Sequence, residues 1–133
     1  MSDRQNDKQT VLTSQAVTAA TNSSAFYVGD YTEALVILSV TAVSGTAPTL
    51  SPVVETSYDG DVTFATLAGG STWVEQDATT VTQITDGTNI SGDGTGRYLC
   101  AVTNIGLSIR VRMPLPGGST PSFTMSIIIV AKN

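Results

Sequence analysis

The chain has 133 residues and a mass of 13.8 kDa, the size of one domain with room for its own core. Apolar residues make up 41% and charged residues only 13%, with Thr, Ser and Gly filling the difference. That balance suits strands and turns and argues against a coiled coil or a helical bundle. The net charge is −5, and the six Lys and Arg form no run or stripe, so the phosphate-neutralising footprint of a nucleic-acid binder is missing.

Residues 1–9 are polar and without periodicity, and read as a flexible N-terminal arm ahead of a single domain over residues 10–133. The arm has no apolar run of the kind a secretory signal needs, and the longest apolar run, residues 127–131, is too short to span a membrane. The expectation is a chain made without a classical export signal and without a membrane partner. Residues 10–17 read as an edge strand with Val11 and Leu12. Residues 25–28, with Phe26 and Tyr27, approach a second strand that ends at Gly29-Asp30.

Residues 33–60 organise the middle of the chain. Val36, Leu38, Val40 and Ala42 fall on one face of a first strand, and Leu50, Val54 and Tyr58 on one face of a second. Leu35 and Ile37 lie on the opposite face, which predicts a central strand partly covered on both sides. Ser44, Gly45, Thr46 and Pro48 predict a turn between the two strands. A looser region over residues 61–77 contains a flexible turn at Gly69-Gly70-Ser71 and a short strand, Thr72-Trp73-Val74-Glu75.

Residues 79–85 are β-branched and strand-like, with turn clusters at Asp86-Gly87 and over residues 91–96. Residues 97–103 form the next strand. In residues 107–113, Leu107, Ile109, Val111 and Met113 alternate with Ser108, Arg110 and Arg112, the cleanest in-out pattern of the chain. Three prolines and two glycines over residues 114–121 predict a sharp break. The last strand, residues 122–132, puts Phe123, Met125, Ile127 and Ile129 on one face, while Ile128 and Val130 make the other face apolar towards its end. That second apolar face calls for cover by another subunit or by the N-terminal segment. No segment of helical length carries the i, i+3, i+4 pattern. About eight short strands with frequent turns predict an all-β fold, an antiparallel β-sandwich of jelly-roll type.

Reacting groups are scarce. The chain has no histidine, which removes the usual general base and the commonest zinc ligand. Asp59, Asp61, Glu75 and Asp77 could in principle supply paired carboxylates, but the first two sit in an Asp-Gly-Asp turn, where Asp serves the backbone. Asp59, Asp61 and Asp93 lack the spacing of an EF-hand. Gly92, Gly94 and Gly96 lack the Lys-Ser/Thr and the helix of a phosphate loop. Cys100 is the only cysteine, so no intrachain disulfide forms, and between Leu99 and Ala101 it reads as a small apolar residue. Trp73, Tyr58 and Tyr98 could stack a sugar or fill the core, and the core is the better reading for Trp73. The sequence therefore predicts no catalytic residue, no metal ligand and no cofactor.

Several stretches together carry a resemblance: Thr-Ala-Val-Ser-Gly-Thr-Ala-Pro-Thr-Leu over residues 41–50, Thr72-Trp73-Val74, Thr82-Gln83-Ile84-Thr85, Gly96-Arg97-Tyr98, and Gly-Gly-Ser-Thr-Pro-Ser-Phe-Thr over residues 117–124. They resemble small structural proteins encoded in the head and tail modules of tailed bacteriophages, over roughly residues 35 to 131. The chain departs from that pattern at Pro52 and at the loop Met113-Pro114-Leu115-Pro116. The resemblance implies a virion component, a capsid decoration or cement protein on the outer head surface. It would be made in the host cytoplasm, be trimeric, and bridge subunits of the major capsid protein without contacting nucleic acid. The alternative is a carbohydrate-binding or fibre-accessory module on the virion. On this reading the candidate partner-binding residues are Arg4 and Lys8 in the arm, Leu12 next to it, Ile128 and Val130 on the last strand, and Leu115 in the long loop.

Overall fold

The computed structural model describes residues 6–76, 81–84, 90–91 and 95–133. The described residues form strands and no helix, in two antiparallel sheets. The larger, seven-stranded sheet has the order β1 (Asn6–Val17), β12 (Gly117–Lys132), β4 (Glu33–Leu50), β10 (Gly96–Thr103), β7 (Trp73–Gln76), β8 (Val81–Ile84), with β9 (Ile90–Ser91) pairing on β4. The five-stranded sheet has the order β2 (Thr21–Asn22), β11 (Ser108–Met113), β5 (Val53–Ser57), β6 (Ala65–Thr66), with β3 (Phe26–Tyr27) also on β11. This is the antiparallel β-sandwich that the sequence predicts. Among the described residues four of the strands are two-residue pairings, and the longer ones number eight.

Period-two alternation explains which faces meet. Ala34, Val36, Leu38 and Val40 of β4, Phe123, Met125, Ile127 and Ile129 of β12, and Tyr98, Cys100 and Val102 of β10 are buried on the inner face of the large sheet. Val54 of β5 and Ile109, Val111 and Met113 of β11 are buried from the small sheet. Trp73 is 2% exposed, and its indole N–H donates to the Pro52 carbonyl at 2.9 Å, which ties β7 to the link between β4 and β5. A buried indole needs such an acceptor. Trp73 is therefore core.

The expected turn at residues 44–48 is not there. β4 runs unbroken from Glu33 to Leu50, and the chain changes sheets only at Ser51-Pro52, so β4 and β5 are not a hairpin. Its partner β12 also starts earlier than expected, at Gly117, and runs through Pro121. The turn-forming residues are used as kinks within a paired ribbon. Register shifts separate Gly117, Ser119 and Ser122 along β12, and Gly45 and Gly118 have φ of 109° and 99°. A Cβ on Gly45 would lie 2.7 Å from the Thr120 carbonyl oxygen, so only glycine allows this close approach. Pro121 sits within the irregular register between Ser119 and Ser122, where a missing N–H costs no ladder bond.

The N-terminal boundary also moves. Residues 6–9, assigned to the arm, belong to β1 and pair with Lys132 through Ile129 of β12. Residues 1–5 lie outside the described residues, as do the turn cluster at 86–87 and residues 92–94 of that at 91–96. β1 is an edge strand, as predicted, with two register shifts between Thr10 and Gln15. Bulges of this kind discourage edge-to-edge pairing.

Candidate functional site

Antiparallel register places directly opposed residues on the same face, and this assembles the outer face of the large sheet row by row. Thr10, Ile128, Ile37, Leu99 and Val74 form one row across β1, β12, β4, β10 and β7. Lys8, Val130, Leu35 and Ala101 form the next. Polar rows close both ends. At one end stand Asn6, Lys132, Glu33 and Thr103, and at the other Ser126, Ser39 and Arg97. Lys132 Nζ and Glu33 Oε1 are 3.8 Å apart, an exposed pair of small energetic weight. The apolar side chains of the two middle rows are half-buried, except the exposed Ala101, while their inward neighbours on the same strands are buried. The result is an apolar centre within a polar rim, the anatomy of a protein interface.

The candidate residues separate on this map. Lys8, Ile128 and Val130 come together on the outer face. Leu12 does not join them: it is 8% exposed and opposite the buried Ile127, so it belongs to the core and is unavailable to a partner. The bulge between Thr10 and Leu12 shifts which residues of β1 face inward. Leu115 is 71% exposed, but it precedes Gly117 at the opposite end of β12 from Val130. Arg4 lies outside the described residues. The cover sought for Ile128 and Val130 does not come from the described N-terminal strand, because β1 lies beside β12 in the plane of the sheet. Leu99 and Val74 were missed as members of this surface, since only strand order places them next to Ile37.

The small sheet carries a different chemistry on its outer face. Glu55 faces outward on β5, yet its side chain is 8% exposed, because Arg110 and Arg112 of β11 close over it. Arg110 Nε donates to Oε1 at 3.1 Å and Arg112 Nε to Oε2 at 3.0 Å. The Arg110 guanidinium stacks on the Phe64 ring, 3.8 Å from its centroid. Two guanidinium groups on one carboxylate leave this patch locally positive in a chain of net charge −5. The alternation of Arg110 and Arg112 is visible in the sequence, but Glu55 as their shared acceptor follows only from the β5–β11 register.

Beside this cluster, at the Ser57–Ser108 end of the sheet, Tyr27, Tyr58 and Leu107 are exposed. Tyr27 is opposite Ser108, and Leu107 N–H donates to Ser57 O at 2.8 Å. The Tyr58 hydroxyl donates to Asn104 O at 2.8 Å, which holds the ring against the surface.

Two of the candidate reacting groups, Asp59 and Cys100, have structural roles, while Asp77 and Asp93 lie outside the described residues. Asp59 Oδ1 accepts from Thr63 N–H and from the Ser57 hydroxyl, each at 2.8 Å. Led by the Thr63 backbone bond, these contacts hold its carboxyl below the usual range. Burial pushes the Cys100 thiol up to about 12, and its Sγ donates to Gly69 O at 3.3 Å. Among the described residues no three of His, Cys, Asp and Glu are grouped to hold a metal ion. Trp73 and Tyr98 are both buried, so they form no stacking platform with Tyr58.

No protein-family model matches the chain, and no curated protein matches it significantly. Among solved structures the chain is similar to the SPBc2 prophage-derived protein YomS, with a TM-score of 0.55 and 13% identity, over 100% of this chain and 97% of that one. At that identity the likeness establishes the fold and nothing further.

Proposed function

We propose that this chain is a structural protein of a bacteriophage particle: a capsid decoration protein that binds the outer head surface and stabilises contacts between major capsid subunits. The observation that carries the reading is the whole-chain likeness of the sandwich to a prophage-derived protein, which agrees with the phage-like motifs of residues 41–50 and 117–124. The chain acts through its surfaces and not by turning over a substrate. The shell-binding surface on this reading is the end of the small sheet with Tyr27, Tyr58, Leu107, Arg110 and Arg112. Tyr and Arg are the residue types that concentrate binding energy at interfaces.

The test is to mix the purified chain with expanded heads of the phage that carries its gene, then sediment and image them by electron cryo-microscopy. Density at regular positions on the outer shell is the expected result. The combined Tyr27→Ala and Tyr58→Ala substitution should lower occupancy while leaving the domain folded. Heads that remain bare at saturating protein overturn the proposal.

A further inference from the structure

We infer that the outer face of the seven-stranded sheet is a homodimer interface, on which a second copy of this chain packs face to face about a two-fold axis. The face itself calls for cover, with Ile128, Ile37, Leu99 and Val74 in one row and Val130, Leu35 and Ala101 in the next. The rest of the chain has little to cover it with. Residues 1–5 contribute only Met1 as an apolar side chain, and residues 77–80, 85–89 and 92–94 only Ala78.

A second copy fits by shape and by charge. A two-fold axis crossing the strands midway between the two apolar rows lays each strand over its own counterpart. Ile128 then lies over Val130 of the second copy, Ile37 over Leu35, and Leu99 over Ala101. Ile128 and Leu99 each meet a smaller side chain, and Ile37 meets Leu35, of equal size but branched one carbon further out, so the two faces can interdigitate. The same axis sets the Glu33 row over the Ser39 row, so Glu33 is displaced sideways by only one strand spacing, about 4.8 Å, from Arg97 of the second copy, and the two long side chains reach each other across the ~10 Å between the sheets. That pairing forms twice and offsets the positive charges at the rim. The sixteen residues of the four rows, each occupying about 4.8 by 6.8 Å of the sheet, give a flat footprint of about 520 Å², and two such faces bury on the order of 1,000 Å². A specific interface needs roughly 1,000 Å². A two-fold axis gives the self-complementary contact that closed dimers use.

The inference does not rest on the virion reading, because it concerns the purified chain alone. Sedimentation velocity and light scattering across roughly 1–100 μM should give twice the 13.8 kDa chain mass, with dissociation on dilution. Ile37→Thr keeps a β-branched side chain and should weaken the dimer by about tenfold or more with unchanged far-ultraviolet circular dichroism. Glu33→Arg and Arg97→Glu should each weaken association, and the two together should restore it. A merely structural role for either residue would not produce that rescue. A monomer throughout the range, or an oligomer of any size indifferent to all these substitutions, overturns the inference.

Discussion

Glu55 shows how a single side chain can depend on its neighbours. Its carboxylate lies on an outward-facing strand position, yet Arg110, itself stacked on the Phe64 ring, and Arg112 close over it and leave its side chain 8% exposed. Glu55→Ala leaves two partly buried guanidinium groups side by side on one face of β11. We expect a loss of about 1–2 kcal/mol in urea unfolding, less than the ~3–5 kcal/mol of a buried pair, because Arg112 is 40% exposed. Arg112→Ala alone should cost less than Glu55→Ala, since Arg110 still neutralises the carboxylate. Cys100 is the opposite case, a group whose chemistry burial suppresses. With its thiol pushed up to about 12 by desolvation, the native protein should react with an aromatic disulfide reagent at pH 8 at least about a hundredfold more slowly than an exposed thiol. Urea that unfolds the chain should abolish that protection.

At the scale of the element, β4 and β12 behave as one kinked ribbon. The kink depends on Gly45 and Gly118 having backbone conformations that L side chains rarely adopt, each with carbonyl oxygens of the facing strand where a Cβ would go. Gly45→Ala should therefore cost about 1–3 kcal/mol in denaturant unfolding, through strain and a clash with Thr120. Gly60→Ala is the matched comparison, with φ of 74° but nothing within 4 Å of the added carbon. It should cost only about 1 kcal/mol, the handedness term alone. Equal costs at the two positions would show that the ribbon shifts to accommodate the methyl group.

For the whole molecule, the consequential pairing joins the two ends of the chain. β1 covers the edge of β12 from Phe123 to Lys132, and Val11, Leu12 and Val17 contribute to the core. Removal of residues 1–5 should leave the melting temperature within about 2 °C of the parent, since no described pairing is lost. Removal of residues 1–17 uncovers an apolar strand edge and takes three core side chains away, and should yield an aggregating chain. Light scattering on refolding separates the two truncations. A soluble, cooperatively folding product of the longer deletion would show that β12 can serve as a stable edge by itself.

What the sequence determined unaided was the alternation. Ile109, Val111 and Met113, or Phe123 through Ile129, face inward because a pleated strand sends every second side chain to one side, a local property of the chain. The all-β class and the doubly apolar end of β12 followed from the same rule, and the core role of Trp73 from the bulk of its aromatic ring. Tertiary structure decided whatever depended on which strands are neighbours. Local composition at Ser44, Gly45 and Pro48 is compatible with a turn or with a kinked strand, and only pairing with β12 selects the second. Leu12 moved into the core through a bulge that alternation does not announce. Leu99 and Val74 joined Ile37 and Ile128 in one row because β10 and β7 lie next to β4, and the order of strands in a sheet is set by long-range burial.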